Sequence, residues 1–314
     1  MDINSKIYVA GHRGLVGSAI VRKLQADGYD NIITVTKSEL DLTDQHKVEK
    51  WFKNNKPEYV FLAAAKVGGI GYNKSAPADF IRENLQIQTN VIDSAYKNNC
   101  KKLLFLGSAC IYPKITPMPI KEEYLLTAPL EETNIAYSIA KIAGMIMCQK
   151  YTEQYDFKTI SLMPNNLYGI NDNFNPEQCH VIPAFINKFI KAKENNDLNV
   201  ICFGDGTPTR EFILSDDLAD AAVFLMNNYD SSETINIGTG NDISIKELAE
   251  IIKRHVGYEG EILWDTTKPN GTPKRQVDTS KLDNLGWKPK TSLDEGLKIT
   301  IDWFLKNRGT YEKV

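Results

Sequence analysis

Between residue 6 and about residue 170, short apolar and β-branched runs alternate with longer amphipathic ones, the pattern of parallel strands joined by crossover helices. Residues 6–10, 32–36, 59–65, 102–106 and 159–163 predict strands. Residues 17–28, 43–55, 80–99 and 136–155 carry apolar positions near a 3.6-residue period and predict helices. An α/β fold follows, a Rossmann-type doubly wound parallel sheet. The polar stretch 170–179 breaks the rhythm, and short helices, turns and strands mix thereafter. A first unit over 1–169 and a smaller, mixed α/β unit over 170–314 are therefore expected. Residues 234–238 read as one more buried strand ending in a Gly-x-Gly turn, with Ser244 opening another helix. The chain is thus expected to return to the first sheet near 234–250.

Composition narrows the function classes. The 314 residues carry 37 Lys and Arg against 40 Asp and Glu, and the net charge of -3 is not gathered into a basic stripe, which argues against nucleic acid as a partner. Five cysteines, odd in number and without a C-x-x-C pair, signal neither a disulfide framework nor a zinc site and suit a reducing compartment. The N-terminus leads straight into a strand, leaving no room for a secretion signal, and the apolar runs are too short to span a bilayer. A cytoplasmic protein with no membrane partner is expected.

Gly11-His12-Arg13-Gly14-Leu15-Val16-Gly17 lies between the first strand and the first helix. Closely spaced glycines there let backbone amides approach a pyrophosphate, and the helix N-terminus favours its charge. An NAD site commonly has an acid at the end of the second strand, to accept bonds from the ribose 2′-hydroxyl, whereas a 2′-phosphate requires cations. Here that corner reads Thr36-Lys37-Ser38, with a lysine and no acid, and Arg13 reaches it from the glycine loop, which favours NADP(H). The alternative for Lys37 is a solvated surface lysine.

Tyr137 and Lys141 are spaced to share one helix face. A neighbouring ammonium is expected to lower a phenol from its usual value near ~10 and let it exchange a proton with a substrate oxygen. Ser108 follows the fourth strand, where the sheet edge would set its hydroxyl over a dinucleotide.

With the glycine loop, Ser108 and the Tyr137/Lys141 pair in this order, the chain resembles the extended short-chain dehydrogenase/reductase family of nucleotide-sugar enzymes over nearly its whole length. The resemblance narrows at residues 63–70 (AAAKVGGI), 106–113 (LGSACIYP), 137–144 (YSIAKIAG), 166–169 (NLYG), 180–184 (HVIPA), 206–212 (GTPTREF) and 268–273 (KPNGTP). These look like the members that epimerise C3 and C5 and reduce the C4 ketone of GDP-4-keto-6-deoxy-D-mannose with NADPH.

That resemblance implies Cys110 as base and His180 as acid for the epimerisations, with Ser108 and Tyr137 on the C4 oxygen and Lys141 on the nicotinamide ribose. A thiol with an ordinary value near ~8.5 is expected to be brought down by its surroundings for that task. The implied dinucleotide contacts are Gly11, His12, Arg13, Gly14, Leu15, Val16, Gly17, Lys37, Ser38, Asp41, Leu42, Leu106, Gly107, Ala109, Lys141, Pro164, Asn165, Asn166, Leu167 and His180. For the nucleotide sugar they are Lys188 and Arg210 on pyrophosphate, Phe203 on the guanine face and Asn270 at the nucleobase. Each has a structural alternative: Lys188 on a solvated helix face, Arg210 paired with Asp216 or Asp217, Phe203 in the core. Ala109, Phe203 and Asn270 replace the serine, tryptophan and aspartate usual in the family, so guanine selectivity is the weakest implication. A homodimer packed through helices, one of them carrying Tyr137, is also implied. Another epimerase or reductase of the same fold, or a noncatalytic dinucleotide sensor, are the competing readings.

Overall fold

The structure, a computed structural model, describes residues 1–268 and 270–311, so Pro269 of the KPNGTP segment lies outside the described residues. In chain order the first strands are β1 (Ile7–Ala10), β2 (Ile32–Ile33), β3 (Tyr59–Leu62), β4 (Lys102–Leu106), β5 (Thr159–Pro164) and β6 (Asn166–Tyr168). They are followed by β7 (Asn199–Phe203), β8 (Thr209–Leu214), β9 (Ile235–Ile237), β10 (Asp242–Ser244), β11 (Glu261–Asp265) and β12 (Lys274–Arg275). The helices of the first half are α1 (Leu15–Ala26), α2 (Gln45–Asn55), α3 (Ile70–Ser75), α4 (Pro77–Lys97) and α5 (Ile135–Tyr155). Those of the second are α6 (Val181–Asn195), α7 (Ser215–Asn228), α8 (Ile245–Val256), α9 (Ser280–Asn284) and α10 (Leu293–Tyr311).

Six strands make one parallel sheet in the order β2-β1-β3-β4-β5-β9. Because β2 and β3 flank β1 on opposite sides, the order reverses there, and the crevice beyond the ends of β1 and β3 is the topological switch point where such sheets bind ligands. Alternation along β1 sends Ile7 and Val9 into a core with Leu24, Leu218 and Leu225, and Tyr8 and Ala10 into one with Phe52, Val91 and Met145. Both faces are thus covered by helices. A third core joins α6, α8 and α10 to β7 and β8 through Phe189, Cys202, Phe212, Ile252 and Phe304.

The returning strand is real: Ile235 pairs in parallel with Leu162 of β5. Ser244 is the N-cap of α8, its hydroxyl accepting from the Glu247 amide while the Glu247 carboxylate accepts from the Ser244 amide. Strand 32–36 is shorter than its apolar run suggests, because Thr36 bends the chain: its carbonyl accepts from Glu39 and Leu40 amides. Strand 59–65 stops at Leu62, where Ala63 donates to the Ala10 carbonyl and the chain turns under the glycine loop. The fourth helix begins at Pro77 rather than 80, since proline is tolerated in a first helical turn. Among the described residues no helix is long and apolar enough to cross a membrane, and no cluster of three or more His, Cys, Asp or Glu could hold a metal.

Candidate active site

The glycine loop is built by close approach. Gly11 has φ +85°, and a Cβ on it would lie 2.8 Å from Ala64 Cα, in the backbone beyond β3. A Cβ on Gly17 would come within 2.1 Å of the Gly11 carbonyl oxygen, so α1 can seat against the loop only through glycine. Gly14 is the N-cap of α1 and offers no capping side chain, which leaves the first amides of the helix for an anion. Leu15, Val16 and Gly17 supply those amides.

Beside this loop a cavity of about 370 Å³ is lined by Gly11, His12, Arg13, Gly14, Val35, Thr36, Lys37 and Ser38. Arg13 and Lys37 therefore share one cavity wall, as a 2′-phosphate requires. Lys37 Nζ lies 3.9 Å from Glu83 and its side chain is 76% exposed. The corner is not free of acids as the sequence suggests, since Glu39 folds back onto Thr36 here. Its carboxylate accepts from the Thr36 amide at 2.8 Å and the Thr36 hydroxyl at 2.7 Å, and those bonds, with Arg13 and His12 nearby, hold it below the usual carboxylate range. Burial and Arg13 push His12 toward its neutral form. Asp41 is bound to the Thr43 amide and hydroxyl, and the Leu42 carbonyl accepts from Asn90, so both shape the next turn. This open helix end, with two cations at the adenosine corner, fits a phosphorylated dinucleotide. Arg13→Ala combined with Lys37→Ala is expected to weaken NADPH binding by roughly 10–100-fold and NADH binding by less than about threefold. Equal losses in a fluorescence titration would reject this assignment.

Ser108 ends the turn after β4, and its hydroxyl accepts from the Cys110 amide at 3.3 Å. The same hydroxyl acts on the Tyr137 phenol, favouring its ionised form. Lys141, one turn along α5, is buried and donates to the Leu106 carbonyl at 2.6 Å, with its Nζ 5.7 Å from the Tyr137 ring centre. Ser108, Cys110, Tyr137 and Lys141 thus converge. Gly107 fits beneath because a Cβ there would strike Met163. Ala109 is buried and has no side-chain hydroxyl, and its carbonyl accepts from the Tyr112 amide and from Arg275.

The electrostatics differ from expectation in two places. Burial raises the Tyr137 phenol, helped by Cys110 and only partly offset by Ser108, whereas Lys141, turned onto the Leu106 carbonyl, does not bring it down. Burial also raises the Cys110 thiol against the pull of Ser108, Ser138, Lys141 and Arg275. Both groups are only partly exposed and lie against the protein wall, so enough surrounding water is displaced to outweigh these partners. Lys141 is pushed down to about 8 by burial, with Cys110 acting the other way.

His180 is the N-cap of α6, and its segment docks on the chain after β3: Gln178 accepts from the Gly69 amide at 2.8 Å. From there Tyr72, Phe80 and Tyr137 form a row of rings with centres 5.2 and 6.4 Å apart. The imidazole itself is solvent-accessible, and the protein crowded around it pushes it toward the neutral form, with no contribution from Cys110 or Tyr137. The segment that leads into His180 is thus held against the chain after β3 by the Gln178 carbonyl and the Gly69 amide.

Pro164 ends β5, and Asn165 beyond it donates to Glu211 at 2.6 Å. Asn166, followed by Leu167 in β6, donates to the Glu211 carbonyl at 2.8 Å. The Glu211 carboxylate is wholly buried and also accepts from the amides of Thr239, Gly240 and Val277, which ties the end of the main sheet to β8 and β12. Sequence reasoning missed Glu211, although an acid inside the apolar run of β8 was the available signal.

On the far side, Phe203 is 65% exposed, which removes its core alternative. Lys188 Nζ lies 5.3 Å and Lys268 Nζ 5.9 Å from its ring centre, and Lys188 donates to the Ile201 carbonyl. Arg210 donates to the Thr209 and Thr272 carbonyls and stands in register with Arg275. Its ion-pair alternative falls, since Asp216 pairs with Arg22 at 2.8 Å and Asp217 accepts from Thr291. Asn270 accepts from the Asp205 amide at 3.0 Å, so the oxygen expected to face a guanine is bonded into the 204–205 turn.

A glycine loop at the switch point and a serine-tyrosine-lysine cluster beyond β4 define a dinucleotide-dependent enzyme of the short-chain dehydrogenase/reductase type. The model of the NAD dependent epimerase/dehydratase family matches residues 7–238, and the chain belongs to that family. It is 59% identical to the putative GDP-L-fucose synthase 2 of Arabidopsis thaliana, over 98% of this chain and 94% of that one. It is 45% identical to the GDP-L-fucose synthase of Escherichia coli (strain K12), over 98% of each. Among solved structures, the GDP-mannoheptose C4 reductase from Campylobacter jejuni with NADP bound superposes with a TM-score of 0.90 at 44% identity, covering 97% of this chain and 99% of that one.

Proposed function

We propose that the protein converts GDP-4-keto-6-deoxy-D-mannose to GDP-L-fucose, epimerising C3 and C5 and reducing the C4 ketone with NADPH. The observation that carries this reading is a thiol, Cys110, set among Ser108, Tyr137 and Lys141 in a chain so similar to GDP-L-fucose synthases. Residues 1–169 with the return near 234–250 hold the dinucleotide, and 170–314 mainly hold the sugar nucleotide.

Protons at C3 and C5 are alpha to the ketone, so a modest base removes them if the enolate oxygen is stabilised. Ser108 and Tyr137 donate to that oxygen. Because burial keeps the phenol protonated, Tyr137 is suited to give its proton to the C4 oxygen at the end. NADPH, when bound, would supply the hydride. Cys110 takes each carbon proton as thiolate, which Lys141 and Arg275 favour, and His180 returns one on the opposite face. Lys188 and Arg210 hold the pyrophosphate, and Phe203 offers its exposed ring to the base. A homodimer is supported by α5, which leaves Ile135, Ile139, Ile146 and Tyr155 exposed. Sedimentation of the free protein tests it.

The similarity to a C4 reductase favours a second reading, reduction without epimerisation. Incubation with GDP-4-keto-6-deoxy-D-mannose and NADPH in D2O separates the two. GDP-L-fucose carrying solvent deuterium at C3 and C5 is expected. An unlabelled sugar of unchanged configuration supports the reductase, and no NADPH consumption rejects both.

A further inference from the structure

Cys110 lies in a turn that is tied down by two side chains outside the set described above. Ser138, wholly buried on α5 between Tyr137 and Lys141, donates its hydroxyl to the Cys110 carbonyl at 2.9 Å. From β12, Arg275 donates Nη1 to the Pro113 carbonyl at 2.8 Å and Nη2 to the Ala109 carbonyl at 3.1 Å, so its guanidinium spans the turn on both sides of Cys110. The groups facing the thiol are therefore the hydroxyls of Ser108 and Ser138, the Tyr137 phenol, the Lys141 ammonium and the Arg275 guanidinium. Glu131, paired with Lys114, bears in turn on Arg275.

We infer that Ser138 and Arg275 are positioning residues for Cys110. Ser138 fixes the backbone of the Cys110 turn to the helix that carries Tyr137 and Lys141, and Arg275 adds positive charge from the C-terminal strand, so that together they favour the thiolate. This rests on Cys110 acting as the base. In that step the C–H bond breaks, its proton goes to Sγ, and the electron pair moves to the C4 oxygen as enolate. Each turnover must regenerate the anion by releasing the proton to water, and donors around the sulfur make that release easier.

The test is alkylation of the free protein by iodoacetamide across pH, with Cys110 followed by peptide mass spectrometry. Ser138→Ala and Arg275→Gln are expected to move the Cys110 midpoint up by about one pH unit, so that alkylation at neutral pH slows roughly tenfold. Arg275→Lys should recover part of the loss. Cys179, half-buried in another segment, should be unaffected and serves as reference. An unmoved Cys110 midpoint in both variants overturns the inference. So does faster alkylation at an unchanged midpoint, the sign of a turn merely loosened. Because no substrate is present, the outcome is independent of the epimerase reading: wild-type protein that exchanges no deuterium would remove the base assignment while a shifted midpoint would still support the positioning.

Discussion

Tyr137→Phe is expected to lower kcat for NADPH oxidation by about 10²–10⁴-fold, the usual worth of a positioned general acid. The ring should stay in place, because it packs edge-on against Phe80 and the substitution removes only the oxygen. NADPH affinity should change by less than about threefold, since Lys141 is anchored by the Leu106 carbonyl and not by the phenol. The same variant should also slow deuterium uptake at C3 and C5, because the enolate loses one of its two donors and keeps Ser108. Stopped-flow reduction and exchange measured together check both. Reduction at wild-type rates would show that the C4 oxygen takes its proton elsewhere, and would remove the phenol from the mechanism.

The second large effect is expected from Cys110→Ser, which should reduce solvent deuterium incorporation at C3 and C5 by roughly 10²–10⁴-fold. A hydroxyl in this buried turn ionises far less readily than a thiol, and burial already pushes the thiol up. Hydride transfer should survive, because Ser108, Tyr137 and Lys141 are untouched. The expected product is then a GDP-sugar reduced at C4 with its C3 and C5 configurations unchanged, identified by NMR. Full exchange in this variant would place the base on another residue.

The legibility of this chain followed from how local each feature is. Strand β4 matches its apolar run residue for residue, and the Ser244–Glu247 cap announces α8, because a short buried run and an N-terminal cap depend on neighbouring residues. The early end of β2 is local too, yet hidden: Thr36 and Glu39 bond each other in a turn that an apolar count does not register. Glu211 lies in the 206–212 motif, but its backbone amide partners come from two segments distant in sequence, Thr239-Gly240 and Val277. The ion-pair alternative for Arg210 is closed by a tertiary contact, because Asp216 pairs with Arg22 of α1.

By itself, then, the sequence determined the alternation of strands and helices, the glycines that can make the loop, and the identities of the reacting side chains, since periodicity, backbone freedom and donor chemistry belong to residues and their near neighbours. Tertiary structure decided the rest. It set the protonation bias of Tyr137 and Cys110, the exposure of Phe203 and the bonding of Asn270 into a turn. The physical reason is that desolvation and charge coupling depend on which distant segments close around a group, and the order of residues along the chain does not encode that distance locally.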